Sequence, residues 1–335
     1  MNYSTKTSYW PVNLLAALVL LTIGCGQSRE PEDLADERYT SSDQQIVTNE
    51  EEPIVEAVSL FGHGLVRPDF DTLSAAIMQQ ELRDAVEKYD GTPESMMWIA
   101  RKTAALWRYQ DAVVVLTDAI EEFPEEAVLY RYRGQYLFFL REFDIAADDF
   151  NKAARYAQNK PDFIETDTPD GQVIEPSSSF LFNLNLFTGL NEYARGRFRQ
   201  ALEFFEKASS HAANNDTRLT ALDWQVMALV KLGHYDLADH KAARALELEP
   251  VTDATAYRDR LKLLVQSEDA ITSDDGSDVF SQVTLDYGRA MAYRRKGDIA
   301  QAERKLRELL DSNIWAAVSY IMAEADLKRT QSARS

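Results

Sequence analysis

The feature that most constrains how this chain can fold is a repetition with a period of 34 residues. Between residues 94 and 158, the same order of small and large side chains occurs twice. The matched positions, each 34 apart, are Ala100 with Gly134, Tyr109 with Phe143, Ala112 with Ala146, Leu116 with Phe150, and Ala119 with Ala153. Repetition at a fixed period of this length predicts a stack of similar units, each burying its apolar face against its neighbours.

The spacing within each unit indicates two amphipathic helices. Small residues such as Gly134 and Ala146 let the two helices approach closely, and large residues at helical spacing fill the remaining space. Pro124 follows the first unit, and proline is common just beyond a helix end. The repetition therefore predicts pairs of helices packed side by side.

The same pattern returns three more times after interruptions of the period. The later units contain Gly189 with Ala201, Tyr235 with Ala238, and Ala290 with Ala302. We expect a solenoid of about five repeats over residues 93–328, with insert loops at 159–179 and 251–279. Within the first insert, turn-forming residues at 168–171 predict a short hairpin that pairs residues 163–165 with residues 172–174.

The pattern of small and large residues resembles the tetratricopeptide (TPR) repeat. Four strings resemble, in the same order, a family of bacterial TPR proteins: Trp98–Tyr109, Leu129–Gly134, Pro169–Gly171 and Ala323–Leu327. The resemblance covers residues 57–328. It implies an all-α fold, a right-handed superhelical solenoid of TPR helix pairs with capping helices, and it implies no reaction.

The amino terminus resembles the precursor of a bacterial lipoprotein. Lys6 is the only charge in residues 1–24, an apolar run extends from Pro11 to Ile23, and Gly24 precedes Cys25, the single cysteine. The run is shorter than the roughly 20 residues that span a bilayer, and it fits a signal core. The resemblance implies a signal peptide at 1–24 and lipidation of Cys25 at the periplasmic face of an outer membrane. An ordinary signal peptide or an uncleaved anchor is the alternative.

The next part of the chain has the composition of a tether. Residues 26–53 contain nine acidic side chains, two arginines and one aromatic ring, too little apolar surface to fold. We expect a disordered acidic tether at 25–55, a lead-in segment with a capping helix at 56–92, and a disordered tail at 329–335. The apolar residues that trace the capping helix are Leu73, Ile77, Leu82 and Val86.

The first helices of such repeats line a concave groove, which commonly binds peptides. The net charge of −19 disfavours a nucleic-acid partner, so arginines on the groove wall stand out. We predict that Arg101, Arg131 and Arg133 form a basic spot that binds an acidic group of a protein or peptide partner. The other predicted partner-binding residues are Gln135, Phe138, Tyr193 and Arg294. The alternative is structural: arginines that bridge nearby acids, and Phe138 in the core between repeats.

The sequence contains no motif that indicates an enzyme. No phosphate-binding glycine loop, serine elbow or metal-spaced carboxylates are present, and the single cysteine excludes an internal disulfide. We therefore expect a scaffold or adaptor without cofactor or metal. A carrier of small ligands or glycans is the alternative, with four rings as stacking surfaces: Trp98, Trp107, Tyr132 and Trp224. The sequence leaves the oligomeric state open.

Overall fold

The structure is a computed structural model, and it describes residues 53–166, 168, 171–266 and 278–334. Within these residues lie thirteen helices and one short β-hairpin, which confirms the predicted all-α helical-repeat class. The strands are β1 (Val55–Val58) and β2 (Gly64–Val66). The helices are α1 (Thr72–Glu87), α2 (Pro93–Ala105), α3 (Tyr109–Glu122), α4 (Ala127–Phe139), α5 (Phe143–Ala157), α6 (Phe180–Ala194), α7 (Phe198–Ser210), α8 (Asn215–Leu232), α9 (Tyr235–Leu246), α10 (Thr255–Val265), α11 (Val279–Arg295), α12 (Ile299–Leu310) and α13 (Val318–Ser332). The predicted signal peptide, Cys25 and nearly all of the tether lie outside the described residues.

Five helix pairs form the stack: α2 with α3, α4 with α5, α6 with α7, α8 with α9, and α11 with α12. The small residues of the repeat lie where the two helices of a pair meet. A Cβ atom on Gly134 would lie 2.8 Å from the Phe150 ring, and one on Gly189 would lie 2.5 Å from the Phe205 ring. Because no side chain fits at these distances, the glycines permit the close approach that the sequence predicts.

The turn inside each pair requires one residue in the left-handed region of backbone conformation. Glycine occupies this position in the last three pairs, at Gly196, Gly233 and Gly297, with φ of 79°, 76° and 80°. In the first two pairs the equivalent residues are Trp107 and Arg141, with φ of 55° and 68°. Such a conformation costs a non-glycine residue about 1–2 kcal/mol, so contacts of the two side chains must offset this cost.

The lead-in segment forms the hairpin β1–β2, whose strands pair antiparallel, followed by α1. Asp71 caps α1 by accepting a hydrogen bond from the Ser74 amide at 3.0 Å. The helix is present, but it does not bury the apolar stripe that traces it in the sequence. Its buried residues are Ser74, Met78 and Ala85, whereas Leu73 and Val86 are exposed.

The first insert does not form the predicted hairpin, because its described residues pair elsewhere. Ile164 forms an isolated bridge with Ser179, and the Glu165 amide donates to the Ser178 carbonyl at 2.9 Å. The segment therefore returns to the start of α6 and lies beside the first helices of the stack. Residues 167, 169 and 170 lie outside the described part of the chain.

The carboxyl-terminal helix α13 lies across the inner side of the stack, where it contacts α6, α11 and α12. Every residue from Val318 to Leu327 is buried. A helix that is buried all round belongs to a core rather than to a surface. Among the described helices, none has both the length and the apolar character needed to cross a bilayer.

Candidate functional site

The predicted basic spot exists, but the protein's own first insert fills it. Arg131 is fully buried and pairs with the Glu165 carboxylate, which also accepts a hydrogen bond from Asn183. Arg101 donates to the Thr166 carbonyl at 2.7 Å. Both guanidinium groups face the Tyr132 ring, Arg131 at 3.5 Å and Arg101 at 5.4 Å from its centroid. An acidic group is bound here, but it comes from the same chain.

The electrostatics of Arg131 depend on this carboxylate. Burial opposes the charge of the guanidinium, but the Glu165 carboxylate holds the pKa of Arg131 above its ordinary value. Arg131 also donates to the Gln135 side-chain oxygen at 2.6 Å, and Gln135 is fully buried. The site is therefore a closed hydrogen-bonded cluster.

Arg133 lies apart from the other two arginines, so the predicted three-residue spot is wrong in this respect. Its guanidinium forms two hydrogen bonds with Asp149, at 2.7 and 2.8 Å, and a third with Thr117 at 3.1 Å. Residues two apart on a helix point in different directions. Arg133 thus joins α4 to α3 and α5, in accordance with the structural alternative.

Two of the three remaining predicted partner-binding residues, Phe138 and Tyr193, lie in the interior. Phe138 is fully buried, with its ring 6.3 Å from the Phe187 ring. Tyr193 is also fully buried, and its hydroxyl lies 2.8 Å from that of Tyr287. Arg294 is half-buried, and its charge contributes to lowering the pKa of Lys231. The prediction that Phe138 and Tyr193 line an open groove is wrong, because their rings pack against rings of the neighbouring helix pair, Phe187 and Trp224. The binding role of Arg294 stays a prediction.

Two carboxylates of α13, which no pattern in the sequence predicted as functional, hold the helix in place. Glu324 accepts hydrogen bonds from Arg141 at 2.9 Å and from the Leu60 amide at 2.6 Å. It therefore links α13 to the turn after α4 and to the amino-terminal hairpin.

Asp326 is the second carboxylate. Lys231 lies 2.7 Å from it, Tyr287 donates to it at 2.9 Å, and Arg329 also pairs with it. Burial would raise the pKa of Asp326, but the cations Lys231 and Arg329 hold it below its ordinary value. Burial lowers the pKa of Lys231 to about 8, despite the attraction of Asp326.

The sequence contains a signal that α13 closes the inner side of the stack. It lies at the turns inside the first two helix pairs. Trp107 and Arg141 replace the glycine of the later units, and both contact the segment that leads into α13. The Trp107 and Trp315 rings meet edge to face with centroids 5.0 Å apart. Arg141 donates to the Trp315 carbonyl at 2.8 Å. These contacts compensate for the left-handed conformation.

The rings that a glycan would require are not accessible. Trp98, Trp107, Tyr132 and Trp224 are each less than a tenth exposed. None offers a face on which a sugar could stack, so the ligand-carrier alternative loses the residues on which it was based. Within the described residues, no group of three or more His, Cys, Asp or Glu side chains could hold a metal ion.

An open cleft, here called the amino-terminal cleft, lies between the segment after β2, helix α1 and the turn between α2 and α3. Its volume is about 680 Å³. The residues that line it are Arg67, Pro68, Phe70, Ala75, Gln79, Leu82, Arg83, Val86, Glu87, Leu106 and Arg108. Unlike the inner side of the stack, this concavity is accessible to another molecule.

Comparison with known proteins gives similarity to solved structures only. No protein-family model matches the chain, and no curated protein matches it. The chain is similar to YrrB, described as a TPR protein with an unusual peptide-binding site, with a TM-score of 0.39 and 15% identity over 76% of this chain and 98% of that chain. It is also similar to a chain of the APC/C hetero-tetramer Cut9–Hcn1, with a TM-score of 0.45 and 15% identity over 76% of this chain and 45% of that chain. Neither similarity bears on what this chain binds.

Proposed function

We propose that this chain is a scaffold of the bacterial cell envelope, held at a membrane through Cys25, and that it binds a protein partner. The partner binds at the amino-terminal end of the stack, here called the end face, which comprises residues 54–89. The proposal keeps the scaffold function and moves the binding surface away from the concave groove, which the chain fills itself.

The distribution of exposed apolar side chains carries the proposal. Eight of the sixteen large apolar residues that are exposed in the described part of the chain lie in the end face. They are Ile54, Val55, Val58, Val66, Leu73, Ile77, Val86 and Tyr89. Concentrated exposed apolar surface marks an interaction site, whereas apolar side chains scattered singly do not.

The position of the end face along the chain fits an anchored scaffold. It follows directly after residues 26–53, whose composition is that of a flexible linker. A flexible chain of this length spans roughly 30 Å root-mean-square. Lipidation of Cys25 would therefore hold the end face within reach of a partner in or near the same membrane.

Site-specific photo-crosslinking in cells tests the function. A photo-reactive amino acid at Val58, Leu73 or Val86 should give a discrete protein adduct. The matched control positions are Val114 on α3 and Leu237 on α9, which are 58% and 57% exposed but lie outside the end face. Equal adducts from all positions, or none from the end face, would contradict the proposal.

The anchor is tested separately. Radiolabelled palmitate should label the wild-type chain in cells, and a Cys25→Ala variant should lose both the label and its place in the membrane fraction. A Cys25→Ala variant that keeps the wild-type label and its place in the membrane fraction would contradict the proposed anchor.

A further inference from the structure

We propose that the amino-terminal cleft binds an acidic amphipathic helix of the protein partner. The apolar side of that helix enters the cleft, and a flanking carboxylate pairs with Arg83 at the rim. This inference rests on the proposed function and adds to it the site and the chemistry of the partner.

The floor of the cleft is apolar. Phe70, Leu82 and Leu106 are at least partly buried, and Val86 lies in the same cleft with 53% of its surface exposed. Burial of apolar side chains in a concave surface by a partner lowers the free energy, because it removes them from water. The floor therefore favours a ligand that presents apolar groups.

The shape of the cleft suits a helix. Its lining residues on α1 extend from Ala75 to Glu87, which corresponds to about 18 Å along a helix axis. An amphipathic helix that docks in a groove uses apolar anchors spaced i, i+3 or i+4, and i+7, so its anchors extend over about 10 Å. A partner helix of three turns can thus lie alongside α1 with its anchors in the cleft.

The charge of the rim selects the partner. Three arginines line the cleft, Arg67, Arg83 and Arg108, against one carboxylate, Glu87, although the chain as a whole carries a net charge of −19. Arginine pairs with carboxylates through two parallel hydrogen bonds. A rim arginine that no carboxylate among the described residues pairs with therefore favours an acidic partner.

The three arginines differ in how far internal carboxylates already neutralise them. Arg67 pairs with Glu56 at 2.7 Å, and Arg108 pairs with Asp111 at 2.7 Å. Arg83 is exposed and hydrogen-bonds to the side chain of Gln80, and it has no ion pair with any carboxylate in the described part of the chain. Arg83 is therefore the principal cation available to a partner.

Binding of three synthetic peptides to the full chain tests the inference. The peptides share one apolar helical face and carry Glu, Gln or Lys at the flanking positions, and fluorescence anisotropy reports their affinity. The Glu peptide should bind at least tenfold more tightly than the Lys peptide, and added salt should reduce this difference. An Arg83→Glu variant should reverse the order of the Glu and Lys peptides.

A matched pair of variants on α1 tests the position of the site. Val86→Asp should weaken binding of all three peptides at least tenfold. Leu73→Asp should bind like the wild type, because Leu73 is exposed on the same helix but does not line the cleft. Both variants should unfold at the wild-type temperature, since both positions are exposed.

Several outcomes would overturn the inference. These are equal affinity for the three peptides, no binding of any of them, or equal effects of Val86→Asp and Leu73→Asp. Val86-dependent binding to phosphatidylglycerol vesicles without peptide binding would assign the cleft to a membrane surface. A Val86-dependent dimer in sedimentation equilibrium would assign it to a second copy of this chain. If the crosslinks at Val58 and Leu73 persist in any of these cases, the proposed function stands and only the cleft assignment fails.

Discussion

At the residue scale, two positions depart from the repeat and show how the molecule closes. Trp107 and Arg141 adopt the left-handed conformation that glycine adopts at the same place in later pairs. Arg141 remains there because its guanidinium pairs with Glu324, and both groups are almost completely buried. Burial lowers the pKa of Arg141, and Glu324 partly offsets this effect. The long-range contact with Glu324 thus offsets the backbone strain at Arg141.

Replacement of Arg141 by glycine separates the two effects. Relief of the strained conformation should stabilise the chain by about 1–2 kcal/mol, but loss of one partner of a buried ion pair costs about 3–5 kcal/mol. We expect Arg141→Gly to lower the free energy of unfolding by about 1–4 kcal/mol in urea denaturation.

Gly297→Ala is the control for Arg141→Gly. It adds strain at the equivalent position, where a Cβ would meet no atom within 4 Å, and should cost about 1–2 kcal/mol. A stabilised Arg141→Gly variant would show that the contact with Glu324 contributes little.

The pair of Arg131 and Glu165 gives a second prediction at this scale. Glu165→Gln leaves the Arg131 guanidinium buried without a counter-charge, so we expect a loss of about 3–5 kcal/mol in the free energy of unfolding. The control is Glu308→Gln, which removes a pair with Lys305 whose two side chains are 33% and 50% exposed. That change should stay within about 0.5 kcal/mol. Equal effects in denaturation experiments would mean that the insert does not hold Arg131 as described.

At the scale of elements, the helices of the pairs and helix α13 are held by different means. The second helix of a pair buries one face, as the positions of Ala146 and Phe150 on α5 illustrate, whereas first helices such as α6 and α8 are buried nearly all round. Helix α13 is buried all round, and it carries the carboxylates Glu324 and Asp326 into the interior. Its place in the stack therefore depends on cations that come from other elements, Arg141 and Lys231.

The pair of Lys231 and Asp326 predicts how stability depends on pH. The pKa of Lys231 is about 8 in the folded chain, against an ordinary value of 10.5. Above pH 8 the folded chain therefore releases a proton that the unfolded chain still holds. Stability should rise with pH between about 8 and 9.5, with a slope that approaches about 1.4 kcal/mol per pH unit.

A Lys231→Met variant is the comparison for the pH dependence. It lacks the titrating group, so its free energy of unfolding should lack this rise when urea denaturation is repeated at several pH values. Parallel curves for the two proteins would exclude the contribution of Lys231.

Local patterns in the sequence predicted the helix pairs, because the spacing of small and large residues reports which helices meet. The Gly134 and Phe150 contact follows from that spacing alone. The closure of the inner side could not be predicted in the same way. Arg141 and Glu324 are 183 positions apart, and no spacing rule shows which charges pair over such a distance. For the same reason the sequence wrongly placed Arg131 on an open groove, since it could not show that Arg131 pairs with Glu165 of the insert.

At the scale of the whole molecule, the stack is closed around its own carboxyl-terminal helix and first insert. The inner side is therefore core, and the accessible concavity described here lies at the end face beside α1. In this arrangement the inner arginines and carboxylates stabilise the fold. A partner can bind at the end face, where Arg83 and Val86 are exposed.

Cysteine labelling of α13 tests this closure most directly. In a Cys25→Ser background, Ala323→Cys places a thiol at a position that is 0% exposed, and Ala333→Cys places one at the exposed end of the same helix. If α13 is core, maleimide should label position 323 at least about a thousandfold more slowly than position 333, because labelling then requires global unfolding. Labelling of the two positions at rates within about tenfold of each other would show that α13 leaves the stack readily, and the groove would then be open to a partner.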